Sequence, residues 1–200
     1  MCIHLGIVID STLSWTPHIA TICSRAASKI GLLRRFRSRL SQLSTQFLYS
    51  TSIRPILEYA SISLGSLSKK DSEHLERIQR RAARLIIKEI PQSDTPHDIL
   101  LARAGLATLC TRRRIARASL AFKFVNRTLP PHLMAHSKKF KAKTGKESSL
   151  RNKLCVHLPR PKTDYLKRSP FYTSLSEWNK LPPSFKCANS LPVLKGKLSS

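Results

Sequence analysis

SKKDSEHLERIQRRAARLIIKEIP, residues 68 to 91, is the stretch on which the fold turns. Leu75, Ile78, Ala82, Leu85 and Ile86 recur at steps of three and four, which places them on one stripe of a 3.6-residue helix. Arg77, Arg80, Arg81, Arg84 and Lys88 fall on another sector of the same helix. One sector calls for a core, and the other for solvent or anions. Ser68 is placed to cap with Asp71 three residues on. Glu73 and Glu76 occupy the early turns, each four residues before a basic partner, Glu73 before Arg77 and Glu76 before Arg80. Pro91 marks the expected stop. A solvated face of a helical domain and a nucleic-acid-facing surface both fit this pattern.

The totals narrow the classes. At 200 residues the chain is one domain, or one domain with a tail, and is long enough to bury a core. An apolar content of 41% argues against global disorder. Its 36 Lys and Arg face 11 Asp and Glu, a formal charge of +25, so the surface attracts polyanions, nucleic acid first and acidic membrane second. No apolar run approaches the ~20 residues of a membrane span. The opening MCIHLGIVID lacks a basic region before its apolar run, which argues against a targeting peptide and for an intracellular chain, cytoplasmic or nuclear. Cys2, Cys23, Cys110, Cys155 and Cys187 are odd in number and scattered, as in a reducing compartment. Among potential metal ligands only Cys155 and His157 lie close together, and two ligands do not make a zinc site.

Along the chain, Ile7, Val8 and Ile9 read as a strand too short to stand without a sheet, followed by a turn at Asp10 and Ser11. Thr16 and Pro17 start a helix whose stripe is Ile19, Ile22, Cys23, Ala26, Ile30 and Leu33. It runs into RRFRSR, residues 34 to 39. Cations suit a helix C-terminus, yet four arginines, Arg34, Arg35, Arg37 and Arg39, are more than capping requires. Between 41 and 65 a second pattern carries Leu43, Phe47, Leu48, Ile56 and Leu57, with a kink or break expected near Arg54 because of Pro55. Residues 17 to 57 contain seven basic residues and no acidic one.

Thr95 and Pro96 open a short helix closed by Gly105. Thr108 opens a longer one, with Ile115, Ala118, Ser119, Phe122 and Val125 on one face and the triplet Arg112, Arg113 and Arg114, followed by Arg117, in its early turns. Positive charge at a helix N-terminus is mildly unfavourable, which makes that triplet a better binding candidate than a stabilising one. Beyond Leu129 prolines multiply, and fifteen basic residues face three acidic. Residues 138 to 153 read as a mobile basic loop. Tyr165, Phe171, Tyr172, Trp178, Leu181 and Phe185 then supply a small packed element, their aromatic rings favouring docking over base stacking. Ser190 and Pro192 begin a last helix through Leu194 and Leu198. The expectation is a mainly α chain: a short strand in 1–16, a helical region in 17–128 and a basic, Pro-rich extension in 129–200.

Catalytic signatures are missing. The acidic residues include no Asp-Asp pair suited to two-metal chemistry, and no phosphate-cradling Gly-rich loop, G-x-S-x-G or H-E-x-x-H is present. The expectation is no autonomous catalysis, no cofactor, no metal and no small-molecule substrate.

Six segments, in order, carry a resemblance: HLGIVIDSTLSWTPHI (4–19), KIGLLRRF (29–36), IRPILEYAS (53–61), LERIQRRAARLI (75–86), RRRIARASLAFKFVN (112–126) and RSPFYTSLSEWNKLP (168–182). Together they resemble the C-terminal part of the reverse transcriptase of non-LTR (LINE-like, jockey-type) retrotransposons, over nearly the whole chain. The resemblance implies a palm-closing strand remnant, a thumb-like helical bundle that grips the template–primer duplex, and a C-terminal extension. The parent would be an RNA-directed DNA polymerase from a transposable element. Its catalytic F-x-D-D-like motif lies upstream in full-length relatives and no residue here matches it, so this chain has the look of a fragment or decayed copy. The implied partner is nucleic acid, RNA or RNA–DNA duplex, bound without sequence preference. Arg34, Arg35, Arg37, Arg39, Arg77, Arg80, Arg81 and Arg84 are expected to carry most phosphate contacts, with Lys88, Arg112, Arg113 and Arg114 as further candidates. Alternatives are an orphan helical fragment with no partner, and a basic structural RNA-binding protein.

Overall fold

A computed structural model describes residues 2–12, 14–64, 67–88, 95–136, 140–142 and 155–199. The chain is mainly α, as its periodicity demands. It divides into two compact units, Met1–Arg112 and Arg113–Ser200, each with its own apolar core. That division falls inside the helix Leu109–Val125.

In the first unit the N-terminal strand has the sheet partner that its short length calls for. Strand β1, Cys2–His4, pairs antiparallel with β2, Ile7–Ile9, so Ile3 faces Val8. Leu5 (φ 47°) and Gly6 (φ 76°) form the two-residue turn, whose positive φ values match the twist of a tight hairpin. Two bonds hold the hairpin. The Val8 N–H donates to His18 Nδ1 at 3.3 Å, and the Tyr59 hydroxyl donates to the Leu5 carbonyl at 2.5 Å. His18 is a core histidine, buried in helix α1, Thr16–Arg35.

Helix α1 begins with Pro17 in its first turn, where a missing N–H is harmless, and buries all six residues of its expected stripe. Its leucine and isoleucines each contribute about 1.5–3 kcal/mol on leaving water. Helix α2, Gln42–Leu48, is capped by Ser41, whose Oγ accepts the Ser44 N–H at 3.1 Å. A π-helical turn, Tyr49–Ile53, then leads into helix α3, Arg54–Glu58. Pro55 explains it: the ring has no N–H for the Thr51 carbonyl and crowds it, and the Arg54 N–H reaches five residues back to Tyr49 instead. Of the apolar residues expected inward here, Leu57 is buried and Leu48 and Ile56 pack half-buried against the core, but Leu43 and Phe47 point out to solvent, 77% and 66% exposed; Tyr49 and Ile53, outside the expected set, anchor the core with Leu57.

The organising helix, α4, runs Lys69–Ile86. The Ser68 cap forms as expected: Oγ accepts the Asp71 N–H at 3.0 Å. Asp71 Oδ2 also receives the Ser68 hydroxyl at 2.7 Å and the Thr16 hydroxyl of α1 at 3.1 Å, joining two helix starts. Two expectations give way. The helix ends before Pro91, at Ile86, with Lys88 in the left-handed region (φ 56°); Pro91 itself lies outside the described residues. The i, i+4 pairs are replaced because Glu76 is buried, so Arg80 turns to Glu73. Glu76 accepts the Cys110 N–H at 2.8 Å and lies 3.5 Å from His97 Nε2. Its carboxylate thereby meets the N-terminus of helix α6, Leu109–Val125, where negative charge is favoured. Between them helix α5, His97–Arg103, closes at Gly105 (φ 65°), with the Leu106 N–H returning to the Leu101 carbonyl at 2.9 Å.

The second unit packs α6 residues Ala118, Phe122 and Phe124 with helix α9, Pro170–Lys180. Trp178 is buried and meets Phe122 edge-on, centroids 6.4 Å apart, so it docks rather than offering a base-stacking face. Part of the expected basic loop is a strand: β3, Lys141–Ala142, pairs with β4, Val156–His157, beneath a buried Phe140. Most of that loop, 143–153 and 138–139, lies outside the described residues. Asn179 holds β4 as a strand would, accepting the Val156 N–H at 2.9 Å and donating to its carbonyl at 2.8 Å. Short helices α7 (Pro131–His136), α8 (Asp164–Arg168), α10 (Pro183–Lys186) and α11 (Leu191–Ser199) complete the unit, the last as expected from Ser190 and Pro192.

Candidate functional site

The packing of α1 on α4 brings two arginine groups together that are far apart in sequence. Arg34 at the C-terminal end of α1 and Arg37 in the turn just beyond it, with Arg81 and Arg84 from the last turns of α4, line one cleft of about 200 Å³. Its floor is Ile30, Gly31 and Leu85. Each contribution is local in origin. On α1 the buried stripe at Ile30 and Leu33 turns Arg34 outward. On α4 the buried Ile78, Ala82, Leu85 and Ile86 leave Arg77 and Arg81 on the exposed row, one turn apart.

The electrostatics are one-sided. Two helix C-termini point roughly half a negative charge each toward this end. The exposed guanidinium groups of Arg34 and Arg81 outweigh that, so the mouth of the cleft attracts anions. Arg34 and Arg81 are exposed, and neither makes an ion pair among the described residues. Arginine's planar fork suits bidentate grip on phosphate better than lysine's point charge.

The other sequence candidates sort by surroundings. Arg35, Arg39, Arg77 and Lys88 are exposed but do not line the cleft. Arg80 is half-buried and paired with Glu73, which turns it away from a purely phosphate-contacting role. The triplet on α6 is not presented as a unit. Arg112 binds Glu58 with two nitrogens, Nη2 to Oε2 at 3.1 Å, and that hydrogen bonding raises its pKa further above the ordinary value. Arg113 is buried, and only Arg114 is exposed. The acceptor Glu58 lies 54 residues from Arg112, so no local signal could have announced the pair.

Metal and nucleophile chemistry finds little material. Among the described residues no group of three or more His, Cys, Asp or Glu side chains is placed to hold a metal. Burial pushes the Cys23 thiol up to about 11, which keeps it protonated and unreactive. No described helix is long and apolar enough to cross a membrane. No family model, curated protein or solved structure matches the chain.

Proposed function

We propose that this chain holds a nucleic-acid duplex, the RNA–DNA template–primer of a non-LTR retrotransposon reverse transcriptase, as a thumb-like helical region with no catalysis of its own. The observation that carries this reading is the meeting of Arg34 and Arg37 with Arg81 and Arg84 around one cleft. The six sequence segments supply the polymerase context, and the cleft supplies the anion-binding chemistry. Phosphate contacts of this kind hold a duplex in place without reading its bases. Affinity should therefore be indifferent to sequence.

The test is fluorescence anisotropy of a labelled RNA–DNA hybrid with the full chain at about 50 mM salt. Each phosphate contact is worth on the order of tenfold in affinity there, from counterion release. Arg34→Ala with Arg81→Ala should weaken binding by about a hundredfold and leave helicity unchanged, because both side chains are exposed. Arg112→Ala should instead lower stability, since it strips Glu58 of its partner. If the double variant binds as the parent does, the cleft is not the site.

A further inference from the structure

A second concavity opens on a different face of α1. Leu32, Leu33 and Phe36 form one wall, Leu48 and Ile53 the other, around about 250 Å³. The polar residues there are Lys29 and Ser52, the latter on the π-helical turn that Pro55 imposes. Leu32 and Phe36 remain 50% and 47% exposed. Leu43 and Phe47, four residues apart and thus on one face of α2, are exposed as well. Water-facing apolar residues that cluster in a groove mark an interaction site more often than those scattered singly.

We infer that this groove takes an amphipathic helix of a partner protein, with apolar anchors on one face and acidic residues along its flank. The occupant follows from charge. Both walls come from residues 17–57, which hold seven basic residues and no acidic one, and Lys29 stands exposed at the rim. A basic-flanked partner is repelled here and an acidic-flanked one attracted. The apolar walls are flanked by helices and present no strand edge, so the mode is helix-in-groove with anchors at i, i+3, i+4 and i+7. A nucleic-acid backbone has no apolar face to offer these leucines and Phe36.

A second copy of this chain is a poor occupant. Five of its described acids are committed: Asp71 to Ser68 and Thr16, Glu73 to Arg80, Glu76 to Cys110, Glu58 to Arg112 and Glu177 to Arg117; Asp98 and Asp164 stand singly on separate short helices. Among the described residues no helix carries two uncommitted acids on one face. The net charge of +25 further opposes self-association.

The test uses the full chain and a fluorescein-labelled helical peptide of about 18 residues, with leucines at i, i+3, i+4 and i+7 and flanking glutamates. Anisotropy at about 150 mM salt should give a Kd on the order of 1–50 µM. Leu32→Ser with Phe36→Ser should weaken it at least about tenfold, with the melting curve checked in parallel. Lys29→Glu, fully surface-borne, should weaken the glutamate-flanked peptide and favour a lysine-flanked one. Arg34→Ala with Arg81→Ala should leave peptide affinity within about threefold, while the uncharged Leu32→Ser with Phe36→Ser variant leaves hybrid affinity unchanged, so the two sites fail or succeed separately. Absence of binding up to about 100 µM overturns the inference. So does equal binding of glutamate- and lysine-flanked peptides, or indifference to the groove variants. Groove-dependent self-association, or groove-dependent binding to anionic lipid vesicles that the peptide fails to compete, would assign the surface to another occupant and overturn it as well.

Discussion

Glu76 shows how a single residue ties secondary-structure elements together. It belongs to α4, yet its carboxylate serves α6 by accepting the Cys110 N–H, and it faces His97 of α5. It is buried, so removing it strands donors that water reaches poorly. Glu76→Ala is expected to lower unfolding free energy by about 2–3 kcal/mol, read from urea denaturation. Glu76→Gln keeps a carbonyl oxygen for Cys110 and should lose about half as much. An alanine variant within about 0.5 kcal/mol of the parent would show that the bond contributes nothing net. Sequence spacing alone assigned Glu76 to Arg80. Spacing was blind to burial, and burial decided the partner.

At the scale of elements, the legible features were those whose causes lie within a few residues. The α1 stripe from Ile19 to Leu33 is entirely buried, Ser68 caps α4, and Gly105 ends α5, each through bonds spanning at most one or two turns. Features set by distant contacts were not legible. The β1 strand lacks an Asn-Gly turn signal, since its turn is Leu5-Gly6. Leu43 and Phe47 follow a helical period, and a period cannot tell an inward face from an outward apolar one. Nor could it show that Arg34 and Arg81 share a cleft, which depends on how α1 packs against α4. Gly105 offers the element-level prediction. Its φ of +65° strains any other residue, and a Cβ there would sit 2.8 Å from Gln46 Nε2. Gly105→Ala should cost about 1–2 kcal/mol. Adding Gln46→Ala relieves the contact but not the backbone, so the double variant should recover only part of the loss; full recovery would mean the conformation itself is unstrained.

For the whole molecule, charge is divided unevenly. Arg113–Ser200 carries twenty basic residues against three acidic, and Met1–Arg112 sixteen against eight. The greater anion-attracting field thus arises from the second unit, whereas the described arginine cleft belongs to the first. These two sources make different demands on salt. A cleft contacting about two phosphates through Arg34 and Arg81 gives a slope of log affinity against log salt near −1.8, and removing either arginine should flatten it by about one. If the twenty cations of the second unit did the binding, the slope would be far steeper, beyond about −10. Stability should move the opposite way. A chain at +25 repels itself when compact, and raising salt from about 50 to 300 mM shortens the screening length from roughly 14 to 6 Å, relieving that repulsion. The urea midpoint should therefore rise across the same titration that weakens hybrid binding. A midpoint that falls with salt would mean that the described ion pairs, Arg112 with Glu58 and Arg117 with Glu177 among them, stabilise the fold by more than the excess charge opposes it.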